Sequence, residues 1–268
     1  MPSSFRVSSA GLAAVLALAL SAAAPAQAGD DPTCVATVQQ AALYEANQLT
    51  PDISTAEFAA LAASRAEPVL DVRSSLEYAI AHVPGSINLY EKEVEKVTQL
   101  FPDRAARLVL YCNGPYCGKS KRTSEALVQL GYTNVRRYQL GMPVWRALGN
   151  TVQTDIDGAR YIWSGDMTAV WVDARPREDY ARGTLPGAVS ILPGEAEKAN
   201  DDGRLPLWDK GTRVVVFGRT GDQARVVAAE IAKKAYWNSS YFGGTFEELA
   251  GARLARSEAC RPLAGLAR

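Results

Sequence analysis

Two blocks of this chain repeat each other, and that duplication constrains the fold more than any other feature. Asp71-Val-Arg73-Ser-Ser-Leu-Glu77-Tyr78-Ala79, running on to Pro84-Gly85-Ser-Ile-Asn88, is answered by Asp173-Ala-Arg175-Pro-Arg-Glu-Asp179-Tyr180-Ala181 and then Pro186-Gly187-Ala-Val-Ser190. The offset is 102 residues, without a gap. A second pair follows in the same order at an offset of 106: Arg107-Leu-Val-Leu-Tyr-Cys112 and Arg213-Val-Val-Val-Phe-Gly218. Two matched blocks in one order mark a duplicated structural unit.

Each unit reads alike. A short apolar strand (Pro68–Val72; Ala169–Val172) ends in Asp-x-Arg, a short helix follows (Ser75–Ala81; Glu178–Arg182), and Pro-Gly turns into another strand (Ile87–Leu89; Val189–Leu192). Then come the strand Leu108–Tyr111 or Val214–Phe217, a long helix, and in the first unit a strand near Val135–Tyr138. Strands alternating with helices predict an α/β fold: two tandem domains, each a parallel sheet with helices on both faces. The expected domains are 51–150 and 168–252, joined by a linker at 151–167 in which Tyr161–Trp163 reads as an opening strand. An extension at 29–50 carries Val38, Ala41, Ala42 and Glu45 at the spacing of a short leading helix, and 253–268 is a tail.

The first 28 residues read as a cleaved signal peptide. Arg6 is the positive start, Gly11–Ala24 the apolar run, and Ala26-Gln27-Ala28 the cleavage site, so the mature chain is expected in the periplasm or outside the cell. The apolar run is short and alanine-rich, which argues against stable membrane insertion. Cleavage removes one arginine and no acid from a balance of 29 basic and 29 acidic residues, leaving a net charge near −1. Nothing in that balance draws the protein to nucleic acid. Four cysteines remain, and in an oxidising compartment they allow three disulfide pairings; one of these joins Cys34 to Cys260 and Cys112 to Cys117.

Chemistry concentrates at 107–132. Cys112 stands where a strand ends and a Gly-bearing loop leads to a helix N-terminus, with Lys119, Lys121 and Arg122 close by. Amide dipoles and cations there predict a thiol that titrates below the free value of about 8.5. The competing reading is a buried structural cysteine. Cys117 has three readings: a resolving thiol, a disulfide partner of Cys112, or loop filler. Two thiols and a single histidine, His82, fall short of a metal shell, so no metal and no cofactor are expected. His82 lies in the Pro-Gly turn block, so Cys112 must be activated by amides and cations instead of an imidazole. Asp71, Arg73 and Glu77 read as structural, with Arg73 paired to Glu77. The second unit has Gly218 at the position of Cys112 and no thiol from Asp173 to Gly251; Arg219–Gln223 is its only alternative ligand pocket.

These motifs resemble the rhodanese (sulfurtransferase) family in tandem, over about 51–150 and 160–251. The resemblance rests on Asp71-x-Arg73-x-x-x-Glu77-Tyr78, His82-Val-Pro-Gly85-Ser86-Ile87-Asn88, and Tyr111-Cys-Asn-Gly-Pro-Tyr-Cys-Gly-Lys-Ser120, which looks like a two-cysteine variant of the family's loop. It implies a nucleophilic Cys112 that takes a sulfane sulfur from thiosulfate or a similar anionic donor, becomes a persulfide, and passes the sulfur to cyanide or a thiol. Asn113, Gly114, Tyr116, Gly118, Lys119 and Ser120 would then form the substrate loop. The loop is two residues longer than usual for the family, and Lys119 stands where Arg is common. A lysine is a point charge, not a bidentate fork, which argues against the related phosphatases. Two rivals come from other classes: a thiol–disulfide redox protein using Cys112 and Cys117 with a periplasmic redox partner, and a non-enzymatic binding module.

Overall fold

The computed structural model describes residues 47–252. The signal peptide, the leading helix, Cys34, Cys260 and the tail lie outside the described residues. The first repeat comprises α1 (Thr55–Ser64), β1 (Val69–Asp71), α2 (Ser75–Ile80), β2 (Ile87–Asn88), a 3₁₀ segment (Glu91–Lys96), α3 (Val97–Leu100), β3 (Arg107–Tyr111), α4 (Lys119–Gln129), β4 (Asn134–Tyr138) and α5 (Gly141–Ala147). Its sheet is parallel, in the order β2-β1-β3-β4. The second comprises β5 (Gln153–Thr154), α6 (Ile156–Gly165), β6 (Val170–Asp173), α7 (Arg177–Arg182), β7 (Val189–Ser190), α8 (Ala196–Asp201), β8 (Val214–Phe217), α9 (Gly221–Ala232), β9 (Ser239–Phe242) and α10 (Phe246–Gly251). Its strands are also parallel, ordered β5-β9-β8-β6-β7.

The central strand β3 shows why its sequence is an unbroken apolar run. Side chains alternate across a sheet, so Leu108, Leu110 and then Cys112 join one core with Leu70, Leu127 and Tyr132. Val109 and Tyr111 enter the opposite core with Phe58, Tyr138 and Trp145. Both faces are covered, so neither can be polar.

Asp-x-Arg closes the end of the first strand in each repeat. Arg73 Nη2 lies 2.5 Å from Asp71 Oδ2 and its Nε donates to Asp71 Oδ1 at 2.9 Å, while Nη2 also donates to the Ala81 carbonyl at 2.6 Å. Arg175 repeats this with Asp173 and the Gly183 carbonyl, both at 2.7 Å. The fork ties strand end to helix end. The expected Arg73–Glu77 pair is therefore not formed, because Asp71 takes the guanidinium and Glu77 turns back to cap Ser74 at the start of α2.

The expected opening strand at Tyr161–Trp163 is corrected: these residues lie in α6. Ala159, Ile162 and Trp163 are buried at helical spacing while Tyr161 faces solvent, and that amphipathic period outweighs the β propensity of Tyr-Ile-Trp. The segment 151–167 is also not a loose linker. Gln153 and Thr154 form the edge of the second sheet, and Gln153 exchanges backbone hydrogen bonds of 2.8 and 2.9 Å with His82 of the first repeat. Beside this seam, a Cβ on Gly158 would collide with the Ala79 carbonyl, so α6 can approach α2 only with glycine there. Among the described residues no helix is long and apolar enough to cross a membrane.

Candidate active site

Cys112 is the first residue past β3, and its side chain is fully buried. The chain then loops through Asn113–Gly118, with Gly114 at φ +119°, and the Cys117 N–H donates to the Gly114 carbonyl at 2.9 Å. Helix α4 starts at Lys119 with no side-chain cap. The amide of Ser120, in the first turn, favours the ionised form of Cys112, and the amides of Lys119 and of Asn113 in the loop favour that of Cys117. The Cys112 thiol lies 3.4 Å from both the Cys117 carbonyl and Ser120 Oγ. Ser120 Oγ donates onward to Gln139 Oε1 at 2.8 Å, and Gln139 Nε2 donates to the Pro115 carbonyl at 2.9 Å. Gln139, just past β4, thus holds the loop from behind.

Both thiols are free and hydrogen-bond to each other. That bond, followed by burial, pushes the Cys112 thiol up against the opposing amide and hydroxyl of Ser120. The same bond, with the two amides and the Lys119 charge overcoming burial, pulls Cys117 down to about 6. The expected low-titrating Cys112 is therefore reversed in this state. Two adjacent sulfurs do not both ionise cheaply, and the outer one has the better amide cradle. Iodoacetamide should accordingly label Cys117 first, with the rate rising through a midpoint near pH 6; peptide mass mapping that finds Cys112 labelled first would contradict this ordering.

The remaining predicted residues fall around the loop. Tyr116 is an exposed tip. Glu77 is more than structural, since it accepts from Asn113 Nδ2 at 2.5 Å and Lys119 Nζ at 3.0 Å. Burial opposes its ionisation, but the bonds from Asn113, Ser74 and Lys119 win and bring it down to about 2. The cations expected to surround a thiolate are thus paired: Lys119 with Glu77, Arg122 with Glu91 at 2.7 Å, and Lys121 with Glu125 at 3.8 Å. His82 is buried, stacked on Tyr78 and bonded through Nδ1 to the Tyr78 carbonyl, and burial pushes its pKa down.

Sequence reasoning missed Gln139 and Gly141. Gly141 has φ +60°, and a Cβ there would collide with the Cys112 carbonyl and lie 2.5 Å from the Gly114 nitrogen. The Met142 N–H also donates to the Cys112 carbonyl at 3.0 Å. Gly141→Ala should cost about 2–4 kcal/mol and distort the loop, read as a lower urea midpoint together with faster Cys112 alkylation. An unchanged midpoint would mean that the close approach is not required.

The second repeat fills the same place differently. Thr220 caps α9 by accepting the Gln223 N–H, and Gln223 Oε1 accepts the Arg219 N–H at 2.8 Å. A Cβ on Gly218 would sit 2.9 Å from Gln223 Oε1, so this amide occupies the space a cysteine side chain would need. A cavity of about 650 Å³ opens beside it, lined by Arg175, Asp179, Arg182, Arg219, Phe246 and Glu247. Asp179 bridges Arg182 and Arg219, and the charges there largely cancel.

The family profile described as Rhodanese-like domain matches residues 54–148 and again 159–252. The thiosulfate sulfurtransferase PspE of Escherichia coli K12 is 40% identical over 72 residues, which cover 26% of this chain and 66% of the relative. An HTH-type transcriptional regulator of Mycobacterium tuberculosis is 34% identical over 82 residues, 30% of this chain and 35% of the regulator. The chain thus spans just under two thirds of the first relative and about a third of the second. A crystal structure of a thiosulfate sulfurtransferase from Pseudomonas aeruginosa matches 75% of this chain and 42% of its own at 21% identity, with a TM-score of 0.36. Because the family profile covers both repeats and more than half of the sequence, the chain belongs to the rhodanese-like domain family, with two domains in tandem.

Proposed function

We propose that the first repeat is a sulfurtransferase that moves a sulfane sulfur from thiosulfate, or a similar anionic donor, to cyanide or a thiol through a persulfide on Cys112. The observation that carries this reading is a cysteine at the end of β3, in a loop that leads into the uncapped N-terminus of α4, with its sulfur 3.4 Å from Ser120 Oγ in the first turn. The Cys112 proton passes to the Cys117 thiolate bonded to it, and Cys112 then attacks the outer sulfur of thiosulfate. The S–S bond of the donor breaks, sulfite leaves with the bonding pair, and Cys112 carries the sulfane sulfur. Cyanide or a thiolate next attacks that outer sulfur, and Cys112 departs as the thiolate.

Cys117 sits where Asn113 and Lys119 amides converge, a place suited to the outer sulfur of the persulfide. It must therefore swing out before donor enters, and Gly114 and Gly118 flank the segment that moves. Lys119, paired with Glu77, orders the loop and leaves a partial positive end for the anion. The second repeat, with Gln223 in the thiol position, acts as a non-catalytic wall. The proposal includes a mature chain in the periplasm or outside the cell, supported by the signal-peptide pattern of residues 1–28.

A second reading, thiol–disulfide exchange through Cys117, is favoured by its partial exposure and low-titrating thiol. Intact mass separates the two. Thiosulfate should add one sulfur to the reduced protein and to Cys117→Ala, and none to Cys112→Ala. A loss of two hydrogens with no added sulfur would favour the exchange reading and overturn the first.

A further inference from the structure

A cavity of about 370 Å³ opens between the repeats, lined by Arg73, Asn113, Met142, Pro143, Arg146 and Trp237 among others. It reaches the sulfur loop through Asn113, which lines the cavity and directly follows Cys112 in the chain. Volumes of this size suit organic ligands and greatly exceed cyanide or thiosulfate. Its lining is mixed: Met142, Pro143 and the half-exposed Trp237 are apolar, and Arg73 and Arg146 are basic.

Arg146 is the unusual member. Its Nη1 donates to Asn238 Oδ1 at 2.7 Å, and it makes no ion pair among the described residues. Its charged neighbours are Arg213 and Arg73, which are already paired, with Asp166 at 3.1 Å and Asp71 at 2.5 Å. Burial first, then these two like charges, pull the Arg146 pKa down to about 10. Desolvated cations are ordinarily compensated by an anion. Here the protein supplies none, and Arg146, which is partly buried, lines the cavity.

We propose that this cavity binds the sulfur acceptor as an organic thiol bearing a carboxylate: Arg146 takes the carboxylate, Met142, Pro143 and Trp237 pack its carbon chain, and its thiol is held toward the Cys112–Cys117 loop. This rests on the sulfurtransfer reading above and assigns the second repeat a part in substrate selection, because Trp237 and Asn238 both come from it. The thiolate of the bound acceptor attacks the outer sulfur of the Cys112 persulfide, becomes a persulfide itself, and releases the Cys112 thiolate.

The test compares 4-mercaptobutyrate with uncharged 4-mercaptobutanol as acceptors, using thiosulfate as donor and correcting for each thiol's ionisation. The wild type should show a KM about tenfold lower for the carboxylate thiol. Arg146→Gln should erase that preference, Arg146→Lys should keep part of it, and Trp237→Ala should raise both KM values. Equal KM values in the wild type, or a preference that survives in a folded Arg146→Gln, would overturn the proposal. A binding readout separates this inference from the reading beneath it. Calorimetry with the unreactive 4-(methylthio)butyrate should show binding that weakens about tenfold in Arg146→Gln. Binding without any sulfur transfer would sink the activity and keep the site; transfer without binding would sink the site alone.

Discussion

Cys112→Ala is expected to lower thiocyanate release from thiosulfate and cyanide by on the order of 10³-fold or more, since no other group in the first repeat can form the covalent intermediate in that place. Cys117→Ser should keep activity within about tenfold of wild type, because Cys112 then ionises more readily and the loss of Cys117 as proton acceptor is offset. The same substitution should change Cys112 itself. Cys117 is the largest influence holding the Cys112 thiol up. Removing it should bring the Cys112 titration down, so that at neutral pH Cys112 alkylates faster in Cys117→Ser than in the wild type. If thiocyanate release survives in Cys112→Ala and vanishes in Cys117→Ser, the outer sulfur is the nucleophile and the mechanism must be rewritten around it.

The second large effect is on stability. Asp71 is fully buried and receives four bonds from Arg73: one from the backbone N–H, two from Nε and one from Nη2. Asp71→Ala strands a buried guanidinium that keeps only the Ala81 carbonyl and a long 3.4 Å bond to Asn113 Oδ1. Breaking one partner of such a pair costs about 3–5 kcal/mol, which should appear as a lower urea midpoint with an unchanged slope. Asp71→Ala combined with Arg73→Leu should recover part of the loss, since no unpaired charge is left behind. A midpoint within experimental error of wild type would show that solvent reaches this strand end. Because Arg73 also touches Asn113, the single variant should loosen the sulfur loop as well.

The duplicated architecture, the parallel sheets and the position of Cys112 at a strand end were legible because each rests on local pattern: apolar runs, turn residues, spacing. Tyr161–Trp163 misled because three β-favouring residues stood together, while the burial that makes them helical lies in contacts with Trp171 and the second sheet. The Arg73–Glu77 pair failed for a related reason. Arg73 could reach Glu77 four residues on or Asp71 two residues back, and the burial of Asp71 decided between them. The ordering of the two thiols was invisible, since it depends on which sulfur the amides of Asn113 and Lys119 reach. Gln139 and Gly141 come from the neighbouring strand end, beyond any local window. Arg146 had no motif at all; its significance lies in the missing counter-charge.

The pairing of His82 with Gln153 has a practical meaning for anyone wishing to cut this protein into halves. The scissors cannot fall where the sequence invites them, near residue 150, because the two backbone groups of His82 would then lose their partners and the Ile80 carbonyl would lose the Thr154 hydroxyl. A severed front half would carry an exposed, sticky ledge where its sibling once sat, and would forfeit Trp237 from the mouth beside its sulfurs. Duplication gave this protein two copies of one unit, but the present chain uses them as a single instrument.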